Sequence, residues 1–476
     1  MSPLFTRHSR GGKAPDQAPA ASVGATGHVT DIRPPVDASL APPRAFRPCG
    51  PTGFPAHPLS PAAWALLLRV RRRLVRFPLF DRREYCRRHP GAGRHFPLSH
   101  FLHCGMYRNQ PIFPPVYFAK ALAERLRVTP PDNEDVAAPA IPDRPIGVFA
   151  SSLGNSFMAE IADDLAASLG AAGARVVRGD ERCPRSQRPR TCIYVAPHEF
   201  FALGQGPAWT RPDILRGAVL YNTEQSQTPW FWRALPLLLA SRGVLDLSWH
   251  TASLLGEVMP SAHVVPGLGL APWTLPADRP APALLDGAWW RGDDTVDPRS
   301  PLADRPLDLV FFGGETEARD RFFARHAARF AGLDCLIYLR KRGRGPINAA
   351  NAEGDLCPCA RLACGRARLT VSVHRDAFGF FEWHRLVRQA MASGSVAVTE
   401  RCFPVPDFRP GTHYFCEDAD RLPQLIEWLL RDPDGRVQAE RARDRCLGLL
   451  AHRFRPEQAG RRLLSFLDRL EHGHAV

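Results

Sequence analysis

From position 141 onward the chain alternates two textures. Short unbroken apolar runs end in clusters of small or polar residues, and stretches follow whose apolar residues recur at helical spacing. An unbroken run of four to six apolar residues is the signature of a strand buried on both faces, as in a parallel sheet flanked by helices. The pattern predicts strands at 145–150 (PIGVFA), 174–177 (ARVV), 191–196 (TCIYVA) and 218–221 (AVLY), with a helix over 157–169 after the turn SSLGN. A second series begins at 307–312 (LDLVFF) and continues at 335–339, 369–373 and 396–399, again with helices between. Strand and helix in alternation imply an α/β architecture of two facing Rossmann-like units. Between them, 271–304 is rich in Pro and polar residues (APWTLPADRPAPALL, DPRSPLADRP) and reads as a linker.

The first 140 residues differ. Residues 1–60 hold repeated Pro, Ala and Gly without apolar periodicity, which predicts a disordered tail. Residues 61–76 (PAAWALLLRVRRRLVR) set Trp64, Leu67, Leu68 and Leu74 against Arg69, Arg71, Arg72, Arg73 and Arg76. Such a basic amphipathic helix either makes a peripheral contact with anionic lipid or packs on the next domain. Over 80–123 there is an imperfect duplication, FDRREYCRRHP and FPPVYFAKAL around PLSHFLHCGMYRNQP, with Gly105 and Pro111 as helix-end residues. The resulting division is a tail at 1–60, a helical module at 61–140, a first α/β domain at 141–270, a linker at 271–304 and a second α/β domain at 305–476.

Composition narrows the function classes. A chain of 476 residues, 45% hydrophobic and 23% charged, has ample core-forming material, which excludes wholesale disorder. Lys and Arg outnumber Asp and Glu by 62 to 48, yet only Lys13, Lys120 and Lys341 are lysines. An arginine surplus suits bidentate phosphate recognition, but Ala, Arg, Pro and Gly richness together is also the bias of a GC-rich genome. No nucleic-acid partner is inferred from it. No run of about 18 apolar residues occurs, and the N-terminus lacks the apolar segment of a signal peptide, so a cytoplasmic location is expected. The twelve cysteines are scattered, and Cys357, Cys359 and Cys364 do not have the spacing of a common zinc module. No metal and no cofactor are expected.

In open parallel sheets ligands bind beyond the carboxyl ends of the strands. Four such ends are unusually polar. Ser151, Ser152, Gly154 and Asn155 form either a ligand-approach loop at a helix start or a plain turn. His198, beside Glu199, is either a base or a structural histidine. Asn222, Thr223, Glu224 and Gln225, followed by Trp230 and Phe231, offer amides, a carboxylate and aromatics suited to sugar recognition, although capping explains part of the pattern. Gly313 and Gly314, followed by Arg319 and Arg321 in a helix start, form a plausible diphosphate cradle.

The most informative stretch runs from Val373 to Glu400: a strand ending at His374 and Arg375, a helix of about ten residues bearing Glu382, Gly394 as its C-cap, then a Val-rich strand. Here AMASGSVAV resembles the donor-binding half of GT-B-fold glycosyltransferases. That family places a Glu immediately before Ala-Met-Ala and another eight residues earlier; this chain has Gln389, with Glu382 seven residues before it. FASSLGNSFMAEI, VAPHEFF, YNTEQSQTPWFW and VFFGGETEARDRF are similar to segments of bacterial family-1-type glycosyltransferases of the spore-maturation-protein-like group. The resemblance spans roughly 145–470, and 80–120 resembles a helical module found beside glycosyltransferases of polysaccharide assembly.

The resemblance implies a GT-B-type enzyme that moves a sugar from an NDP-sugar donor to a glycan or lipid-linked glycan acceptor, without a metal, and a last helix that crosses back to the first domain. On the strand-end reading, catalytic roles are expected for His198 and Glu224, and substrate contacts from Gly154, Asn155, Asn222, Gln225, Gly313, Gly314, Arg319, Arg321, His374, Arg375, Glu382 and Gly394. Two alternatives stay open: an inactive scaffold subunit, for which Gln389 speaks, and a nucleotide-sugar epimerase of the same fold.

Overall fold

The computed structural model describes residues 61–90, 100, 141–274, 295–348, 356–376 and 378–472. The expected tail, most of the duplicated segment with Gly105 and Pro111, and 275–294 of the linker lie outside them.

Six parallel strands form the first sheet: β1 (Ile146–Phe149), β2 (Val176–Gly179), β3 (Thr191–Val195), β4 (Val219–Asn222), β5 (Gly243–Asp246) and β6 (Ser261–His263), in the order β2-β1-β3-β4-β5-β6. A two-residue antiparallel ribbon, β7 (Trp273–Thr274) with β8 (Thr295–Val296), bridges to the second unit. That unit has β9 (Leu307–Gly314), β10 (Cys335–Arg340), β11 (Ala367–Ser372), β12 (Val396–Glu400) and β13 (Phe415–Glu417), all parallel, in the order β10-β9-β11-β12-β13. Both sheets double back from their first strand, the arrangement of Rossmann-like units.

Several strand predictions shift at their ends, and β5, β6 and β13 of the sheets and the ribbon strands β7 and β8 were not anticipated. The strand expected at 174–177 begins at Val176, because the preceding helix ends through Gly173 at φ 91° and the Ala174 N–H closes back on the Leu169 carbonyl. The strand expected at 218–221 runs one residue later. β5, β6 and β13 are three or four residues long, too short to show a periodicity of their own. The helix expected before Gly394 is a π-helix (His384–Ala390) followed by one 3-10 turn (Met391–Ser393). Gly394 ends it at φ 74°, and a Cβ there would lie 2.0 Å from the Pro298 carbonyl oxygen, so glycine is required twice over.

The two units share one apolar core: Leu165, Tyr221 and Leu245 of the first pack in the same cluster as Phe381, Trp383, Leu386 and Met391 of the second. The last helix, α12 (Pro456–His472), lies against α3 (Ser156–Ala171) of the first unit. Their approach is close enough that a Cβ on Gly460 would meet the Ser168 carbonyl oxygen at 1.9 Å. Across the same boundary Arg388 of the π-helix donates to Asp164 (2.6 Å) and Glu160 (2.7 Å) of α3. Burial lifts the Asp164 carboxyl against the pull of Arg388; for Glu160, burial is overcome by His384 and Arg388 and its pKa falls.

The basic helix α1 (Pro61–Arg76) packs on α6 (Pro229–Ala240), burying Leu66, Val70 and Leu74. Arg73 donates to the Leu239 (2.7 Å) and Ser241 (2.9 Å) carbonyls that α6 leaves open at its C-terminus. Part of the arginine surplus is used this way. Arg305, buried, donates to the carbonyls of Cys364, Ala367, Ser393 and Pro298. Among the described residues no helix is long and apolar enough to cross a membrane.

Candidate functional site

The carboxyl-end loops of the two sheets touch. The loop after β1 receives the segment after β10: the Ile347 N–H donates to the Asn155 side-chain oxygen (2.8 Å) and the Asn348 amide donates to the Leu153 carbonyl (3.0 Å). The loop after β11 packs on α7 (Trp249–Gly256), which follows β5, with Phe380 edge-on to His250 at 5.8 Å. Both sets of polar strand ends thus open toward the boundary between the units.

On the first sheet, β3 turns sharply into a single helical turn, Pro197–Phe200, through Ala196 at φ 51°. A left-handed alanine costs of order 1–3 kcal/mol and persists only where its surroundings dictate it. The elbow brings His198 and Glu199 to the strand end as part of a helix, where the sequence pattern predicted a simple strand terminus. His198 is buried, with Nε2 3.7 Å from a Glu199 oxygen and 3.6 Å from a Glu224 oxygen, while its Nδ1 is buried with no partner among the described residues. The imidazole thus lies between two carboxylates.

Glu199 is fixed from the other side. Its carboxylate accepts from the Asn155 N–H (2.9 Å) and from the Asn155 side-chain amide, and a Cβ on Gly154 would sit 2.4 Å from its Oε2. Gly154 and Asn155 therefore hold Glu199 and the Ile347 segment, and both ends of the Asn155 amide are already committed. Glu224 accepts from the Thr228 hydroxyl (2.9 Å). Asn222 is fully buried and donates to the Glu224 carbonyl (2.7 Å) and to Asp246 (2.8 Å), so it supports the loop from beneath. Burial raises the Asp246 carboxyl well above its ordinary range, against the donors Ser248 and Asn222. Gln225 accepts from the Gln227 amide (2.8 Å).

On the second sheet, β9 ends at Gly313 and Gly314, and the Thr316 hydroxyl caps α8 (Glu317–Phe330) by accepting from the Arg319 N–H. Arg319 turns inward. It is 3% exposed, donates to the Val373 (2.9 Å) and Gly314 (2.9 Å) carbonyls, and reaches Glu382 at 3.6 Å. A Cβ on Gly313 would crowd the Phe311 ring at 2.6 Å and the Arg319 guanidinium at 3.1 Å; Gly314 has nothing within 4 Å of that position and leaves open space. Burial lowers the Arg319 pKa to about 10, helped by Arg385. Arg321 lies apart from Arg319: its side chain is 75% exposed and faces Glu317 one turn away at 3.7 Å. Two positions along a helix are about 200° apart, so α8 cannot turn both arginines to the sheet.

Glu382 is gripped by Arg385 (2.5 Å) as well as Arg319. Burial would raise its pKa, but Arg385, Arg319, His374 and Arg375 outweigh it and hold the carboxyl below its ordinary value. The His374 N–H donates to Glu400 (2.5 Å), and its Nε2 faces the Arg401 carbonyl at 3.1 Å. Arg375 is exposed, and Gln389 is buried. The structure thus groups Glu382, Arg319, Arg385 and His374, and separately His198, Glu199 and Glu224.

Sequence reasoning missed Arg385, Glu181 and the Arg388 network. Arg385 follows Glu382 at i+3, a helical pairing distance that was available as a signal. Nothing local marks Glu181, which accepts from the Ser152 N–H (2.8 Å) and hydroxyl (2.6 Å) across 29 positions.

No family model and no curated protein sequence matches the chain. Among solved structures, Anabaena HepE in complex with UDP-glucose aligns with 68% of this chain and 99% of its own, at 11% identity and a TM-score of 0.41. A glycosyltransferase from Rickettsia africae aligns with 69% and 98%, at 8% identity and a TM-score of 0.36. Sucrose-phosphate synthase from Thermosynechococcus elongatus aligns with 69% and 100%, at 13% identity and a TM-score of 0.39. The fold assignment rests on the strand order and the parallel pairing, which do not depend on these overlaps.

Proposed function

We propose that the chain is a cytoplasmic GT-B-type glycosyltransferase that transfers a sugar from a nucleoside-diphosphate sugar to a saccharide or lipid-linked acceptor in bacterial surface polysaccharide assembly. The observation that supports this reading is the pair of charged clusters at the touching carboxyl ends of the two sheets. One is an acid held between arginines, Glu382 with Arg319 and Arg385; the other is an imidazole held between acids, His198 with Glu199 and Glu224. Donor and acceptor chemistry need these two environments.

In this reading Glu382 accepts hydrogen bonds from the donor ribose. The open backbone at Gly314, the start of α8 and the exposed Arg375 meet the diphosphate, so that the leaving group departs against fixed positive potential. His198 takes the proton of the acceptor hydroxyl as the new glycosidic bond forms, and Glu224 and Glu199 stabilise the resulting imidazolium. No cofactor enters the scheme.

A second reading, a non-catalytic subunit that keeps the fold, is favoured by Gln389, which stands where the resembling family carries Glu. One experiment separates the two. The protein is melted with a panel of NDP-sugars, where a ligand at 100 times its Kd adds about 2.7 kcal/mol of stability, and NDP release is then followed with glycan and lipid-linked acceptors. Stabilisation with NDP release that His198→Asn abolishes supports the enzyme. Stabilisation without release under any acceptor supports the non-catalytic subunit, and no stabilisation by any sugar nucleotide sinks the enzyme.

A further inference from the structure

Helix α1 buries one face and leaves the opposite one bare, and the bare face is not simply polar. Leu66, Val70, Leu74 and Phe77 are buried, whereas Trp64 (54% exposed), Leu68 (47%) and Val75 (50%) stand in solvent. At about 100° per residue, Trp64, Leu68 and Val75 fall within about 40° of one another, on the side away from the buried stripe. The result is an apolar ridge about 16 Å long. Arg71, Arg72 and Arg76, all exposed, flank it. No Asp or Glu occurs from 61 to 80.

We infer that this face lies on a membrane surface of anionic lipid, with Trp64, Leu68 and Val75 entering the boundary between headgroups and acyl chains and Arg71, Arg72 and Arg76 at the lipid phosphates. Three observations favour a bilayer over a protein partner. The ridge is straight and narrow, as a helix lying in the interface requires. Its flanks carry one sign of charge only, which complements a uniformly anionic plane. Arg69 and Arg73 anchor the opposite side of the helix to the Leu239, Ala240 and Ser241 carbonyls, so lipid binding would fix the orientation of the whole first unit. The inference concerns a surface outside the cleft and stands whether or not a sugar nucleotide binds there.

The test is co-sedimentation of the full chain with vesicles of phosphatidylcholine alone and of phosphatidylcholine containing one third phosphatidylglycerol, at low and high salt. Pelleting is expected with the anionic vesicles only, weakened by salt. Arg71→Gln/Arg72→Gln/Arg76→Gln should lower the partition coefficient about 100-fold, each arginine near such a surface contributing about fivefold. Trp64→Ser/Leu68→Ser/Val75→Ser should remove the binding that survives high salt. All six side chains are exposed, so melting temperatures should stay within about 2 °C of the parent, and single Trp64→Ser serves if a triple variant misfolds. Absence of pelleting, equal pelleting on neutral vesicles, or binding indifferent to both variants overturns the inference. So does a parent dimer in sedimentation velocity that Trp64→Ser converts to monomer, since the face would then belong to a second copy.

Discussion

Replacing Glu382 by Gln keeps the shape of the side chain and removes its charge, which isolates the electrostatic role of that carboxylate. In the parent it faces Arg319 at 3.6 Å and Arg385 at 2.5 Å, with 4–18% of each side chain exposed. A pair at 3.6 Å in a medium of effective dielectric 20 has a gross attraction of about 5 kcal/mol, much of it offset by desolvation. Removing one partner of a buried pair costs about 3–5 kcal/mol, because the surviving charge stays buried alone. Glu382 retains some solvent contact, so the lower end applies, about 3 kcal/mol. At about 2–4 °C per kcal/mol this lowers the melting temperature by roughly 6–12 °C.

The pH dependence checks the cause. Because the folded-state pKa of Glu382 lies below its ordinary value, its contribution is fully present above about pH 4.3 and is lost as pH falls through the folded pKa. Urea unfolding of parent and Glu382→Gln from pH 7 to pH 3 should therefore show a gap of about 3 kcal/mol that narrows in acid. A gap below about 0.5 kcal/mol at pH 7, the size of an ordinary surface change, or a gap that does not change with pH, would refute the claim that Glu382 compensates the two arginines.

Other perturbations test the boundary between the units. Arg388→Met leaves Asp164 without its ion-pair partner and Glu160 with His384 beside it, and should destabilise by about 3–5 kcal/mol; adding Glu160→Gln and Asp164→Asn should recover most of it in the same urea titration. Gly460→Ala places a Cβ 1.9 Å from the Ser168 carbonyl oxygen, and the strain of separating α3 from α12 should cost about 1–3 kcal/mol by thermal melting. His250 is buried and His263 partly buried with its Nδ1 enclosed, and desolvation lowers their pKa values to about 4 and about 3. The unfolded chain takes up their protons first, so stability should fall as pH drops from about 6.5 toward 4, by about 1.4 kcal/mol per pH unit for each histidine. His250→Phe, set among Phe380 and Phe403, should halve that slope in equilibrium unfolding; an unchanged slope means His250 already titrates as a solvated group.

The local sequence determined those features whose causes are local. The short apolar runs within Ile146–Phe149, Thr191–Val195 and Leu307–Gly314, bounded by turn residues, read as strands covered on both faces, and they are. The polar clusters that end them mark the side on which open parallel sheets bind ligands, and Gly394, just before β12, marks a backbone position that must be left-handed. Tertiary structure decided everything that depends on the phase of one element against another. Arg319 and Arg321 are the same residue type in the same helical turn; only the seating of α8 on its sheet sends the first to Glu382 and the second to solvent. Asn155 and Glu199 are 44 positions apart and meet because β1 and β3 are neighbours with parallel ends. The π-helix at His384–Ala390 has no sequence period of its own. It places Arg388 on Glu160 and Asp164 while its apolar residues remain in a core shared by both units. Periodicity fixes which residues share a face, but which face is buried is set by what packs against it, and that partner is distant in the chain.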